Sequence, residues 1–245
     1  MKSLCVGMGE VGKAHYNILS KVYEVHAWDL QGDYFYPPPS LGIEILHICI
    51  RYGKDFDAIV RDYMGQYQPK VVNVCTTVPP GTCEKLGPNV VHSTTRGLHP
   101  NLETGLLNIT KHVGGPLSET VAEYFTKAGI ECYAHKTAKT TELAHILNNL
   151  SYFASLMFAD EMARICRAFG TDYWETVMLY TKTHNEGYAK LDHSSKMRMI
   201  LTPPNGSVGG HCLRQNAEML NPILEAAGVD APLVARMARF GDLLQ

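Results

Sequence analysis

Three observations predict a doubly wound parallel α/β sheet followed by a long helix and a small all-helical region. Over residues 1–138, near-continuous apolar runs alternate with helix-compatible stretches, the pattern of parallel strands covered by helices on both faces. From residue 139 a stretch without Pro or Gly (KTTELAHILNNLSYFASLMFADEMARICRAF) keeps helical periodicity and stops at Gly170. Finally, Gly7-Met8-Gly9-Glu10-Val11-Gly12 lies between the first strand-like run and the first helix, the setting that gives a G-x-G-x-x-G pattern its meaning. The expected organisation is a Rossmann-like domain at 1–138 and a connecting helix with a helical domain at 139–245.

The elements follow in order. Residues 3–7 (SLCVG) are a short strand, 11–20 a helix, and Glu24 to Trp28 a second strand ending at Asp29. The stretch 30–40 (LQGDYFYPPPS), with three consecutive prolines, is a loop. Strands are then expected at 43–51, 70–76, 89–94 and 130–135, with helices at 54–67 and 117–129. Beyond the long helix, 172–182 and 214–227 read as helices, and 231–244 opens with a proline near its first turn. Between them 202–212 (TPPNGSVGGHC) is a loop that no packing pattern explains.

Composition narrows the class. With 245 residues, 45% of them apolar and 19% charged, the chain is an ordinary globular protein, not a disordered, collagenous or coiled-coil one. A net charge of −2 gives no reason to expect nucleic acid or an anionic membrane as partner. No apolar run reaches the length of a membrane span, and the N-terminus has no signal-peptide layout, so a cytoplasmic location is expected. Seven cysteines without paired spacing fit a reducing compartment; six read as small core hydrophobes, and Cys212 is set apart by its loop. No pair of the eleven histidines has zinc-ligand spacing, and no metal site is expected.

The glycine pattern has a physical rationale. Gly7 permits the tight turn, Gly9 lets backbone approach a pyrophosphate, and Gly12 lets helix and strand pack closely, while the helix N-terminus offers amide donors. Asp29, at the end of the second strand, suits a ribose diol and repels a 2′-phosphate, which favours NAD over NADP. The candidate cofactor residues are therefore Gly7, Met8, Gly9, Glu10, Val11, Gly12, Asp29 and Thr76. Tyr34, Phe35 and Tyr36 are candidates for covering an adenosine or for packing on the sheet edge.

Gly206-Ser207-Val208-Gly209-Gly210-His211-Cys212 resembles the cysteine loop of the UDP-glucose/GDP-mannose dehydrogenase family, in the form typical of its UDP-N-acetylmannosamine branch. Thr76-Thr77-Val78-Pro79-Pro80-Gly81-Thr82 is similar to the family's S-T-V-P-x-G-T loop. Glu142, Asn149 and Glu161 fall at the spacing of its long-helix motifs, and Arg198 sits where the family has an arginine before the cysteine loop. The resemblance implies an NAD-dependent oxidation of a sugar-like alcohol or aldehyde. It gives Cys212 the role of a thiohemiacetal nucleophile, and puts Thr77 and Asn149 at the catalytic water or substrate oxygen. It also implies a homodimer built through the long helix, and substrate contacts from Thr95, Arg96, Arg198, Gly209 and Gly210.

The chain departs from the family pattern where ionisable groups are expected. His145 replaces the long-helix lysine, Asn216 replaces the aspartate four residues after the cysteine, Gln215 a lysine, and Thr95 a glutamate. His145 retains acid-base capacity near neutral pH, whereas Asn216 cannot be a general base. Family members carry a further nucleotide-binding-like domain beyond the helical region, so a smaller substrate, or one completed by a partner chain, is expected. Two alternatives stay open: a two-electron reductase resembling the β-hydroxyacid dehydrogenases, and an NAD-binding module with weakened catalysis.

Overall fold

β1 (Lys2–Val6), α1 (Glu10–Leu19) and β2 (Glu24–Trp28) follow one another in a computed structural model that describes residues 1–30, 42–204 and 211–240. Then come β3 (Ile45–Ile48), α2 (Phe56–Tyr67), β4 (Val71–Val74), the short α3 (Thr82–Leu86), β5 (Val90–His92), α4 (Leu102–Asn108), β6 (Lys111–Gly114), α5 (Ser118–Lys127) and β7 (Cys132–His135). The seven strands form one sheet in the order β2-β1-β3-β4-β5-β6-β7. Because β1 pairs with β2 on one side and with β3 on the other, the chain reverses direction there. The C-terminal ends of β1 and β3 thus form a topological switch point, the usual ligand crevice of such sheets.

The sheet corrects the expectation of uniformly parallel pairing in one place. β5 meets β6 antiparallel, through a single pair, His92 with Gly114. β6 escapes a reading by apolar runs because two of its four residues, Lys111 and His112, are polar, and α3 and α4 are too short for a helical period to show.

Both faces of the sheet are covered, as period-2 alternation in buried strands requires. On one face Leu4, Val6, Leu46, Ile48, Val72 and Val74 pack with Phe56 and Val60 of α2. On the other, Ile45, Val71, Val91 and Val113 pack with Ala14 and Ile18 of α1 and Val121, Tyr124 and Phe125 of α5. This second face also carries a buried polar row, since Cys5, His47 and Asn73 are register partners across β1, β3 and β4.

The chain divides into two compact units, Met1–His145 and Ile146–Gln245. The long helix α6 (Ala138–Ala168) begins in the first and continues into the second, and its end is marked by Gly170 at a φ of +67°. The second unit adds a π-helical turn (Trp174–Leu179) running into α7 (Tyr180–Lys190), then α8 (His211–Ala226) and α9 (Pro232–Ala238). Its small core holds Leu213, Ala217, Leu220 and Met237, with Phe153 and Phe240 edge to face at 5.7 Å. No helix among the described residues is long and apolar enough to cross a membrane.

Candidate active site

The glycine loop links β1 to α1 at the switch point. Gly7 has a φ of +89°, and a Cβ on it would lie 2.8 Å from the Cys49 carbonyl, so only glycine fits. A Cβ at Gly12 would stand 1.9 Å from the Gly7 carbonyl oxygen, which is the close helix–strand contact expected of the third glycine. Gly9, by contrast, faces open space: nothing lies within 4 Å of where its Cβ would be. Asp29, one residue past β2, accepts the Met8 N–H at 2.6 Å through Oδ2. Its carboxylate is thereby seated beside the loop. A close-packed turn, an open approach at Gly9, a helix N-terminus and a carboxylate beside it together suit a dinucleotide's pyrophosphate and ribose.

The loops after β4 and β5 meet the start of α6 in the same unit. Thr76 and Thr77, both half-buried, follow β4. The Thr76 hydroxyl is committed to backbone, donating to the Ile50 carbonyl at 2.6 Å. Gly81, at a φ of +90°, starts α3, and the wholly buried carboxylate of Glu142 accepts the Gly81 N–H at 2.5 Å and the Cys83 N–H at 2.8 Å. One side chain of α6 thus satisfies orphan donors at the start of α3 and locks the T-V-P-P-G-T loop in place. Spacing alone marked Glu142 as a motif residue but not as this cap.

After β5, Thr94 Oγ1 meets His145 Nδ1 at 3.0 Å. Burial, with the Arg96 and Lys111 charges beside it, pushes the His145 pKa down to about 4, so its ring is neutral at pH 7. Lys111 is the residue the sequence reading missed. It opens β6 almost fully buried, its Nζ donating to the Ser93 and Thr94 carbonyls at 2.9 and 3.1 Å and lying 5.1 Å from the centre of the Phe125 ring. Burial lowers its pKa. A lone lysine in a four-residue strand carries no signal in sequence; its proximity to Thr94 and His145 comes from the β5–β6 pairing. His92, also buried, bridges the Thr76 carbonyl (3.2 Å) and Thr141 Oγ1 (2.9 Å), and burial drives its pKa down to about 3. The Arg96 guanidinium donates to the Thr110 carbonyl. Thr95 Oγ1 is shielded from solvent and has no hydrogen-bond partner among the described residues.

The first unit therefore places the glycine loop, Asp29, Thr76, Thr77, Thr95 and Arg96 past the C-terminal ends of β1, β2, β4 and β5, with His145 of α6 held to Thr94. The remaining sequence-selected residues belong to the second unit. Asn149 is half-buried on α6. Arg198 is exposed, its backbone paired both ways with the Asn185 side chain at 2.8 Å. Asn216, on α8 and 3% exposed, has a buried Nδ2 without a partner among the described residues. Cys212 belongs to the first turn of α8 and not to a loop. Its side chain, like Gly209, Gly210 and the Tyr34 to Tyr36 segment, lies outside the described residues. The second unit also has a cavity of about 490 Å³ lined in part by Asp160, Cys166, Arg167 and Asp172 and by Pro203 and Pro204 of the segment after Arg198.

Fold and loop together define a Rossmann-type nucleotide-fold protein extended by a long helix and a helical unit. Residues 139–241 match the model of the UDP-glucose/GDP-mannose dehydrogenase family, central domain. Among curated proteins it is 24% identical over 147 residues to a UDP-N-acetyl-D-mannosamine dehydrogenase of Methanococcus maripaludis, a match covering 56% of this chain and 31% of that one. The match thus spans about a third of the curated relative. Among solved structures, a UDP-D-ManNAc dehydrogenase from Pyrococcus horikoshii superposes with a TM-score of 0.79 at 18% identity, over 100% of this chain and 69% of that one. A 3-hydroxyisobutyrate dehydrogenase from Mycobacterium tuberculosis gives 0.72 at 14% identity, over 97% and 91%.

Proposed function

We propose that the chain is an NAD-dependent dehydrogenase acting on a CH–OH group of a sugar-derived substrate. The observation that carries this reading is the glycine loop with Asp29 seated beside it, in a chain that also bears the family's central domain. Gly7 to Gly12 and the α1 N-terminus would hold the pyrophosphate, and Asp29 would accept hydrogen bonds from a ribose diol. When bound, NAD supplies the hydride acceptor.

The chain's own residues do the rest. His145, neutral at pH 7, can take the proton of a substrate hydroxyl. Thr95 Oγ1, shielded and unpaired among the described residues, and Arg96 suit substrate oxygens. Cys212, in the first turn of α8, would be the nucleophile toward an aldehyde. Asn149, Thr77, Asn216, Arg198, Gly209 and Gly210 complete the proposed set. The protein pairs with a second copy through α6, which leaves Leu147, Tyr152, Phe158 and Ile165 between 46% and 59% exposed. The cysteines among the described residues are unpaired, in keeping with a reducing, cytoplasmic setting.

The test is an NAD-linked activity screen over free sugars, sugar phosphates and nucleotide sugars, with Cys212→Ala as control. Two NADH formed per substrate, lost in Cys212→Ala, is the expected result. One NADH, unaffected by that substitution, would favour a two-electron hydroxyacid-type dehydrogenase. This second reading is supported by the 3-hydroxyisobutyrate dehydrogenase, 91% of whose length the chain spans. NAD binding without turnover on any substrate would sink both.

A further inference from the structure

Beneath the glycine loop lies a group of side chains that the dehydrogenase reading leaves unused. Cys49 and Cys75 each sit one residue past a strand, and both continue the parallel ladder, the Cys49 N–H donating to the Val6 carbonyl at 2.8 Å and the Cys75 N–H to the Ile48 carbonyl at 2.9 Å. Strand alternation then puts them on the same face as His47 and Asn73, two residues earlier in each strand. α1 lies on that face and contributes His15, which is fully buried. The His15 Nε2, Cys49 Sγ and Cys75 Sγ atoms all lie within 4.8 Å of one another.

The geometry is that of a ligand set. His15 Nδ1 is 2.8 Å from the Val11 carbonyl, an acceptor only, so Nδ1 carries a proton and Nε2 is the atom turned to the sulfurs. A carbonyl behind the far ring nitrogen is the usual support of a metal-bound histidine. His15 Nε2 stands 3.8 Å from Cys75 Sγ. Nitrogen and sulfur bound to one zinc ion, at about 2.0 and 2.3 Å, are separated by roughly 3.5–3.8 Å. Asn73 Nδ2 donates to Cys75 Sγ at 3.2 Å, and its Oδ1 accepts from Ser93 Oγ at 2.7 Å, so the sulfur's surroundings are anchored. Next to the set, His47 stacks on His15 at 6.1 Å between ring centres. Its Nε2 is buried with no hydrogen-bond partner among the described residues, a spare donor in the same pocket.

We propose that His15, Cys49 and Cys75 form a binding site for a thiophilic metal ion, zinc(II) in the first place. Two thiolates and one imidazole make a soft set that suits zinc and disfavours magnesium or calcium. The ion would displace the protons that the sulfurs and Nε2 share when the site is empty. The site abuts the cofactor loop: Cys49 Cβ is 3.5 Å from where a Gly12 Cβ would stand, and His15 belongs to the helix that the loop opens. The sequence hid it, because its three members are 34 and 26 residues apart and match no spacing motif.

The experiment is titration of the full chain, freed of metal by a chelator and kept reduced, with Co²⁺ and then Zn²⁺. We expect one equivalent of Co²⁺ with a thiolate-to-cobalt charge-transfer absorption, displaced by Zn²⁺, and unchanged in Cys212→Ser. Cys49→Ser should halve that absorption, and the Cys49→Ser/Cys75→Ser double variant should abolish it. X-ray absorption at the zinc edge of the unaltered protein needs no variant, so misfolding cannot confound it; two sulfur scatterers are expected. A first shell of nitrogen and oxygen only would overturn the proposal, and would place the ion on surface histidines such as the His112–His135 pair, whose ring nitrogens are 2.8 Å apart. A charge-transfer absorption that survives in the double variant and vanishes in Cys212→Ser would overturn it equally.

Discussion

The two units of this chain are held in opposite ways. The first closes its own core: its sheet is covered on both faces, and several of its buried polar groups are tied into specific partners, Glu142 to the start of α3, Lys111 to two carbonyls, Asn73 to Ser93 and Cys75. The second buries few residues after Gly170 and leaves Phe158, Phe169, Trp174, Tyr180 and Met199 between 55% and 80% exposed. Apolar area on that scale in a folded unit signals a surface built to be covered. On the proposed reading, the first unit forms the cofactor site from its own loops, whereas the second takes part of its stability from the copy that covers it.

The contrast can be broken most severely at Gly12. Gly12→Ala puts a Cβ 1.9 Å from the Gly7 carbonyl oxygen, and backbone cannot yield as a flexible side chain would. A loss of about 3 kcal/mol, at the upper end of overpacking costs, is expected in urea unfolding, together with a weakening of NAD binding of tenfold or more by calorimetry.

A pH titration of stability tests the buried histidine next. His145 has a folded pKa of about 4, against about 6.5 unfolded, so below 6.5 the unfolded chain binds more protons and stability falls as pH drops, levelling off below about 4. The loss through that window is about 2–3 kcal/mol from this group, and His145→Gln should remove it from the unfolding profile. By the same sign, any activity that uses the neutral ring should stay flat between pH 7 and about 5 on this group's account.

Glu142→Ala should cost about 2 kcal/mol, because two buried N–H donors lose their acceptor, while Glu142→Gln should lose less by keeping one. Chemical unfolding at fixed pH separates the two. The smallest expected effect on stability, within about 0.5 kcal/mol, belongs to Phe158→Ser with Phe169→Ser in the second unit. Their effect should appear instead in light scattering, as a shift from dimer to monomer. If the double variant scatters light as the unaltered protein does, the proposed pairing through α6 is wrong.

Local pattern was enough for part of this protein. The β1–loop–α1–β2 segment was readable because its glycines keep a fixed spacing between a strand and a helix, Gly12 packing on the Gly7 carbonyl five residues before it, and Asp29 follows directly from the end of β2. The long helix was readable because an uninterrupted period over many turns has no competing interpretation. Asn216 and Thr95 stood out as departures from a motif, and both hold buried polar atoms without partners among the described residues. What pattern could not supply was β6, half of whose residues are polar, and the partners its position creates.

Glu142 reaches residues 61 and 59 positions before it, Lys111 reaches Ser93 and Thr94 across the single antiparallel pairing, and His15, Cys49 and Cys75 converge from a helix and two strand ends. Period and turn chemistry act over a few residues and are written in the chain. Which polar groups share one dry space depends on strand order and on which helix covers which face, and only the folded sheet sets those.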